Sequence, residues 1–323
     1  MNSGLKKKLV ALARWGVSLL LLFVVVRTFP ADELVSCLQG SNVFFLCCGF
    51  VVLMVRHIVS AYRWKIVLEI KNYYFPVSAL TRYCFIGVFF NNFLPTSMGG
   101  DVVRGMYLVR DGVRKRTAAS SLVVERMLGV FALACLCGLA WLARPHPLEG
   151  QQGLAVALAL CGVVFFALLL YASAGRGGVI RSSGLLRKLL SVLEDFKEYG
   201  AAPRKGGGAF LLSLLFQLAC VAGIYFLARS ITHNLSFREL LFCVPLASLA
   251  SMLPVSINGL GVREGAFVVL ASQFGVGIKT AAAISLVWLG MNYLQSMAGG
   301  LLFVFDRIRL KKSEQVTLNG KIP

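Results

Sequence analysis

Charged residues are scarce in this chain of 323 residues: Asp, Glu, Lys and Arg make up 15% of it, while 58% of the residues are hydrophobic. Soluble domains are about a quarter charged and about half apolar, so this composition indicates a membrane protein. Acidic residues number 14 against 33 Lys and Arg, which gives a net charge of +19. The basic residues cluster in loops between apolar segments rather than in one long block. This pattern follows the positive-inside rule and does not favour a nucleic-acid-binding protein.

Groups for metal binding and catalysis are also few. The chain has three His, and its nine Cys lie mostly within apolar segments without CxxC spacing, so neither a structural metal nor a disulfide framework is expected. A Walker A loop, an HExxH helix and a GxSxG elbow are all missing. The acids in or beside apolar segments are Glu125, Asp101 and Glu264, which is thin support for a catalytic carboxylate pair. The sequence predicts no cofactor and does not favour an enzyme.

Long apolar segments predict an all-α polytopic membrane protein with six spanning helices of about 18 to 25 residues. These segments are Leu9–Val26, Asn42–Ser60, Thr117–Leu142, Gly153–Tyr171, Gly208–Ala228 and Ile278–Val304. The first resembles a signal peptide but is followed by no small-x-small cleavage site, so we interpret it as an uncleaved helix. Two further apolar segments, Tyr83–Phe93 and Leu240–Leu253, are too short to span a membrane.

Loop charges orient these helices. The basic loops are the N-terminus, 61–82, 104–116, 172–206 and the C-terminus, and the poorer ones are 27–41, 143–152 and 229–238. If the basic loops lie in the cytoplasm, 80–112 must enter and leave the membrane from inside, and 239–275 from outside. The sequence therefore predicts two inverted re-entrant hairpins and an integral plasma (inner) membrane protein with both termini cytoplasmic. The alternative is that either short segment extends to a full span.

The two predicted hairpins share a sequence at their tips. Leu94–Arg104 aligns without gaps on Leu253–Arg263, with Leu, Pro, Ser, Gly, Val and Arg identical at six of eleven positions. Common turn residues recur by chance, but the fixed spacing through Ser, Val and Arg argues against chance. A repeated Pro/Gly loop in the two halves of a polytopic chain is typical of substrate sites in transporters built from repeats.

One integral membrane domain is predicted over residues 1–310, with an internal pseudo-repeat. Its parts are a first half at 1–172 with the re-entrant loop 80–112, an amphipathic interfacial helix at 183–203, a second half at 207–305 with the re-entrant loop 239–275, and a cytoplasmic tail at 311–323. The interfacial helix is predicted because Leu and Phe recur at helical spacing while charged residues cover the opposite face.

The tips are predicted to bind an anion. Gly99 and Gly100 would expose backbone N–H groups, Asp101 would cap the following helix, and Arg104 would lie one turn further on, an arrangement suited to phosphate. The predicted substrate-binding residues are Asn91, Asn92, Pro95, Ser97, Gly99, Gly100, Asp101, Arg104, Glu125, Arg126, Pro254, Ser256, Asn258, Gly259, Gly261, Arg263 and Glu264. The alternative is structural: Asp101 would pair with Arg104, and Arg263 and Glu264 would find local partners.

Other polar residues also lie in apolar segments. Glu125 and Arg126 either complete the site or reach the inner surface. Asn292 and Gln295, one turn apart, either line the cavity or, as we expect, bridge helices. Arg56 and His57 are expected to face the cytoplasmic headgroups.

The motifs as a set resemble a known family. The chain is similar to the lysylphosphatidylglycerol synthase transmembrane-region family over roughly residues 5 to 310. The residues that carry the resemblance are Phe90–Pro95 running into Gly99-Gly100-Asp101 and Arg104, then Glu125-Arg126, then Pro254 with Asn258–Glu264. The resemblance implies a flippase-like protein that moves lipid or lipid-linked substrates. It extends to membrane parts of hopanoid and archaeal glycosylation accessory proteins. In bifunctional members a soluble aminoacyltransferase domain follows, which we do not expect here, so synthase activity is not carried over.

Three functions follow as hypotheses. The first is a flippase-like transporter of a phospholipid or a polyprenyl- or isoprenoid-linked headgroup. The second is a lipid-headgroup-modifying enzyme or accessory subunit with Glu125 or Glu264 as acid/base, and the third a secondary transporter of a soluble anion. The expected partners are membrane lipids, anionic phospholipid or lipid-linked intermediates, and a lipid synthase or glycosyltransferase. A lipid requires a lateral opening between helices, whereas a soluble anion requires an aqueous vestibule.

Overall fold

The computed structural model describes residues 39–94, 99–142, 202–252 and 256–319. These residues form eight α-helices and no strand. The helices are α1 (Val43–Ile70), α2 (Val77–Phe93), α3 (Gly99–Arg110), α4 (Lys115–Leu142), α5 (Pro203–Ile231), α6 (Phe237–Ser251), α7 (Val262–Ser272) and α8 (Ile278–Asn319), with a 3₁₀ turn at Ile257–Gly259. The predicted spans Leu9–Val26 and Gly153–Tyr171, and residues 183–201 of the predicted interfacial helix, lie outside the described residues.

Three of these helices are long and apolar enough to cross a membrane. They are α1, α4 over Lys115–Ala140, and α5, with mean hydropathies of 2.0 to 2.2. Helix α8 has 42 residues, carries polar side chains in its middle, and continues through Asn319 into the predicted tail. The region 61–82 is not the loop that its charge predicts, because α1 continues to Ile70 and α2 begins at Val77.

Helices α2 and α3 form an antiparallel hairpin. The Tyr83 and Tyr107 rings lie 4.8 Å apart near its base, and the Gly100 N–H donates to Asn91 Oδ1 at 2.8 Å near its tip. The two helices cross at Gly87 and Gly100, where a Cβ on Gly100 would lie 1.9 Å from the Gly87 carbonyl oxygen. With 17 and 12 residues, the helices are about 25 and 18 Å long, less than the roughly 30 Å of a bilayer core.

Helices α6 and α7 form a second hairpin. Helix α6 begins with a capping box in which Ser236 and Glu239 satisfy each other's backbone N–H groups. At the tip, Asn258, Gly259 and Gly261 have φ values of 52°, 73° and 81°. Glycine and asparagine adopt this left-handed backbone most readily. The sharp turn at the tip therefore explains why these residue types occupy the three positions.

The second four helices repeat the first four. Helix α5 begins 160 residues after α1 (Pro203 against Val43), α6 begins 160 after α2 (Phe237 against Val77), and α8 begins 163 after α4 (Ile278 against Lys115). The contacts repeat as well, since α2 packs on α8 and α6 packs on α4.

The two equivalent helices α1 and α5 are antiparallel. The Asn42 N–H donates to the Ser230 carbonyl at one end, and Arg63 donates to Ser213 Oγ at 3.3 Å towards the other. Two equivalent helices that run in opposite directions are related by a pseudo-twofold axis perpendicular to them. This is the arrangement of an inverted repeat.

A buried aspartate joins the base of the first hairpin to α8. Asp306 accepts from Arg82 and from Arg110, each at 3.2 Å, while Tyr83 donates to Asp111 beside them. The base of the first hairpin is therefore fixed by ion pairs, whereas its tip is held by packing and amide hydrogen bonds.

Candidate functional site

Glu125 is the centre of a buried ionic cluster between α1, α3 and α4. Its Oε1 accepts from Arg63 Nη2 at 2.7 Å and from Ser60 Oγ at 2.8 Å, and its Oε2 accepts from Arg104 Nη2 at 2.6 Å. Only 4% of the Glu125 side chain is exposed. One carboxylate therefore joins two arginines of different helices in a place where an isolated charge would be costly.

Arg104 is held on three sides. Its guanidinium lies over the Trp64 ring at 4.1 Å, pairs with Glu125, and lies 3.6 Å from Asp101, which in turn accepts from Arg126. The Arg104 Nε is buried without a hydrogen-bond partner among the described residues. The two acids thus occupy the Nη edge of the guanidinium, Trp64 covers its face, and the buried Nε–H makes no hydrogen bond.

The second hairpin has a similar arrangement. Arg263 Nε and Nη2 donate to Glu264 Oε1 at 3.0 and 2.6 Å, and the guanidinium lies 4.6 Å from the Trp288 ring centre. Glu264 is completely buried, and its Oε2 accepts from the Gly261 N–H at 2.7 Å. Each hairpin therefore presents one arginine that is paired with a buried glutamate and stacked on a tryptophan.

The two hairpins touch near their tips. Asn258 Nδ2 of the second tip donates to Asn92 Oδ1 at 2.9 Å, and Asn92 Nδ2 donates to the Asn292 carbonyl of α8 at 3.4 Å. These amides connect the C-terminal end of α2 with the second tip and with the middle of α8.

A cleft of about 560 Å³ runs between α3 and α4 beside the Glu125 cluster. It is lined by Asp101, Val102, Gly105, Met106, Val109, Lys115, Ala118, Ala119, Leu122, Val123 and Arg126. Its charged side chains are the Asp101–Arg126 pair at one end and Lys115 near the other, and the wall between them is apolar.

Comparison with known proteins identifies the family. The family model described as "Lysylphosphatidylglycerol synthase TM region" matches residues 11–300. The chain belongs to this family. It is an integral membrane protein, as the family and the apolar helices together indicate.

The chain is also similar to UPF0104 membrane proteins of archaea. One from Methanocaldococcus jannaschii is 21% identical over 86% of this chain and 89% of its own length. One from Pyrococcus horikoshii is 23% identical over 92% and 97%, and one from Methanothermobacter thermautotrophicus 23% over 84% and 85%. The match therefore covers nearly the full length of each relative.

Most of the predicted binding residues belong to the Glu125 cluster, to the Arg263–Glu264 pair or to the amide hydrogen bonds near the tips. Asp101, Arg104, Glu125 and Arg126 lie in one cluster, so Glu125 belongs to it and does not reach the inner surface. Pro95, Ser97 and Pro254 lie outside the described residues. The pairing of Asp101 with Arg104 and of Arg263 with Glu264, the structural alternative, is present in both hairpins.

The helix N-termini differ from the prediction. Gly99 and Gly100 are buried, and the Gly100 N–H is occupied by Asn91, which takes the capping role predicted for Asp101. The Gly261 N–H is likewise occupied by Glu264. The arginine side chains, and not these glycine amides, are the groups that could bind an anion.

The prediction for Arg56 and His57 was wrong. His57 is buried and hydrogen-bonded to Gln295 at 3.0 Å, and Arg56 donates to Asn292 Oδ1 and to Cys220 Sγ, each at 3.1 Å. Both residues lie in the middle of α1 because this helix continues to Ile70. Asn292 and Gln295 bridge α8 to α1, as expected.

The sequence also failed to indicate Ser60, Arg63 and Trp64. Arg56, Ser60 and Arg63 recur at helical spacing, so a continued helix would have placed them on one face. No group of three or more His, Cys, Asp or Glu that could hold a metal ion is found in the part of the chain that the structure describes.

Proposed function

We propose that this protein moves a phosphate-bearing lipid headgroup, of a phospholipid or a polyprenyl- or isoprenoid-linked lipid, across the membrane in a flippase-like manner. In this proposal it lies in the plasma (inner) membrane with both termini in the cytoplasm, and its partners are membrane lipids and an enzyme that makes or uses them. The observation that carries the proposal is the apolar cleft between α3 and α4, which ends at the buried charge cluster.

The cleft favours a lipid over a soluble anion. An acyl or polyprenyl chain is compatible with the Val102, Met106 and Leu122 walls, while Arg126 and Asp101 at one end suit a polar headgroup. A soluble anion would gain nothing from the apolar part of this surface.

The arginines can contact a phosphate without losing their acids. Arg104 uses its two Nη atoms on Glu125 and Asp101, and its buried Nε remains unpaired. In the second hairpin Arg263 uses Nε and Nη2 on Glu264. Glutamates that hold the arginines in a fixed orientation reduce the entropy lost when a phosphate binds.

An acid/base role for the glutamates has less support. Glu125 accepts from two arginines and a serine, and Glu264 from an arginine and a backbone N–H. The oxygens of both carboxylates are thus engaged as hydrogen-bond acceptors within the protein and are poorly placed to exchange protons with a substrate.

Filling the cleft tests the proposal. The purified protein would be reconstituted into phosphatidylcholine vesicles with fluorescent phosphatidylglycerol, and the label exposed in the outer leaflet would be followed with a membrane-impermeant quencher. We expect Ala119→Trp to slow lipid exchange between the leaflets at least about tenfold, because the ring would occupy the apolar wall without touching Arg104 or Glu125.

The matched control is Leu139→Trp, on the same helix but 59% exposed and away from the cleft. It should exchange lipid at the wild-type rate. Equal rates for wild type and Ala119→Trp would contradict a lipid path through the cleft, and wild-type vesicles no faster than empty ones would contradict the function itself.

A further inference from the structure

Arg56 lies in the middle of α1, an apolar helix long enough to cross a membrane, and has no acidic partner among the described residues. Its neighbours are Asn292 Oδ1 and Cys220 Sγ, and its guanidinium lies 5.5 Å from the Phe216 ring centre. Its Nε is buried and makes no hydrogen bond. Arg63, Arg104 and Arg263 all have carboxylates, so Arg56 differs from every other arginine described above in the site.

Arg56 lies beside the pseudo-twofold axis. The offset of 160 residues between α1 and α5 makes positions 56 and 216 equivalent, and these two side chains face each other. Equivalent positions can meet only next to the axis that relates them. Because position 216 is a phenylalanine, one arginine lies beside the axis instead of two. This single arginine belongs to the first half of the repeat and contacts the second.

A line of amides connects Arg56 with the hairpin tips. Arg56 binds Asn292, Asn92 binds the Asn292 carbonyl, and Asn258 binds Asn92. Beside Arg56, the Gln295 Oε1 is engaged by His57 while its Nε2 is buried without a partner. The unpaired atoms here are N–H donors, and a ligand that satisfies them must bring acceptor oxygens.

We propose that Arg56 binds the phosphate group of the transported molecule at the midpoint of its path, between the Arg104 and Arg263 sites. This inference rests on the proposed function. A phosphate supplies the negative charge that Arg56 lacks and the oxygens that the Arg56 Nε and Gln295 Nε2 lack. A cation on the axis is equally near to both hairpins, so one residue serves the substrate from either side of the membrane.

Binding and transport by Arg56 variants test this site. The full chain in detergent would be titrated with dihexanoyl phosphatidylglycerol, with dihexanoylglycerol, which lacks the phosphate, and with inorganic phosphate. We expect Arg56→Met to weaken binding of the phosphatidylglycerol about ten- to a hundredfold, the range of a lost charge-assisted hydrogen bond, with a similar fall in vesicle transport. Dihexanoylglycerol should bind equally weakly to both proteins.

Two further variants separate binding from folding. Arg56→Lys retains the charge but loses the planar fork, so it should unfold at the wild-type temperature and still bind phosphatidylglycerol several-fold more weakly. Arg114→Met removes one exposed positive charge at the α3–α4 connection and should bind as wild type does. If Arg56→Met does not fold, wild-type affinity in Arg56→Lys would overturn the proposal.

The outcomes distinguish this site from the function. Wild-type binding and transport in Arg56→Met, together with loss in Arg104→Ala, would overturn the Arg56 site and leave the lipid function standing. A wild-type protein that binds none of the probes and moves no lipid would overturn both. Inorganic phosphate that binds more tightly than the lipid and requires Arg56 would uphold the site and overturn the lipid function.

Discussion

Arginine, glutamate and tryptophan occur together at both hairpins, and each has a physical role. A guanidinium at membrane depth loses its hydration, so a counter-ion stabilises it, and an indole ring covers its face without competing for its N–H groups. Glu125 serves two arginines and Glu264 serves one, while Trp64 and Trp288 supply the rings. The tryptophans come from different places in the repeat, so the two sites are similar in chemistry without being copies.

Removal of Glu125 should destabilise the fold strongly. In Glu125→Gln, Arg63 and Arg104 would lose their shared carboxylate in a buried place, so we expect the free energy of unfolding to fall by about 3–5 kcal/mol. The measurement is denaturant unfolding in detergent. The control is Glu69→Gln, whose carboxylate pairs with Lys65 at 3.6 Å on a partly exposed helix face and should contribute less than about 1 kcal/mol. Similar losses in both variants would show that the Glu125 cluster has no special role in stability.

The sequence predicts the acids of this site better than its basic residues. Asp101, Glu125 and Glu264 stand out because acids are rare in and beside the apolar segments, whereas Arg104 and Arg263 stand out only through the repeat at the tips. Arg63 was assigned to a cytoplasmic loop, because the positive-inside rule counts every arginine near a helix end as exposed. The sequence would reveal that Arg63 is buried only if it also revealed the carboxylate that pairs with it. That carboxylate belongs to Glu125, 62 positions further along the chain.

At the scale of elements, both hairpins depend on close backbone approach. Short helices can cross at small separation only where side chains are absent, which explains glycine at positions 87 and 100. The sequence predicted these pairs as short segments, but it placed the start of α2 at Tyr83 instead of Val77. The reason is Arg82, a charged residue that indicated a loop over residues 77–82. In the fold Asp306, far along the chain, pairs with Arg82, so the helix can include it.

A methyl group at the crossing should separate α2 from α3. In Gly100→Ala the Cβ would lie 1.9 Å from the Gly87 carbonyl oxygen, so the backbones must move apart and Arg104 must leave its position over Trp64. We expect a loss of about 1–3 kcal/mol in the free energy of unfolding, and slower lipid exchange between leaflets. Gly138→Ala is the control, since a Cβ there meets nothing within 4 Å, and it should be neutral or slightly stabilising. Equal stability of the two variants would exclude a close crossing.

At the scale of the whole molecule, the eight described helices form two copies of a four-helix unit. Eleven aligned residues at the tips indicated this repeat, and the helix positions extend it to α1–α8. The rest of the repeat could not be predicted, because two helices of the same fold can be built from different sets of apolar side chains. The meeting of Arg56 with Phe216 on the axis shows this, since a charged residue and an aromatic ring occupy equivalent positions.

The orientation of the two hairpins is the prediction that decides the topology. Each hairpin has both ends at one side of the fold, so the ends of the first should face the cytoplasm and the ends of the second should face outside. Single cysteines at Tyr74 and Arg114, and at Asn234 and Ile278, all exposed, would be introduced into a protein whose nine native cysteines are replaced by alanine. Labelling with a membrane-impermeant maleimide, in vesicles of known orientation, gives the side of each.

We expect Tyr74→Cys and Arg114→Cys to react from the cytoplasmic side only, and Asn234→Cys and Ile278→Cys from the opposite side only. Detergent-permeabilised vesicles are the control, in which all four should react. The replaced background must retain wild-type lipid exchange. Reaction of Tyr74→Cys and Arg114→Cys from different sides would mean that α2 and α3 cross the membrane once between them. The two halves would then no longer be inverted copies, and Arg104 and Arg263 could not serve one substrate from opposite faces.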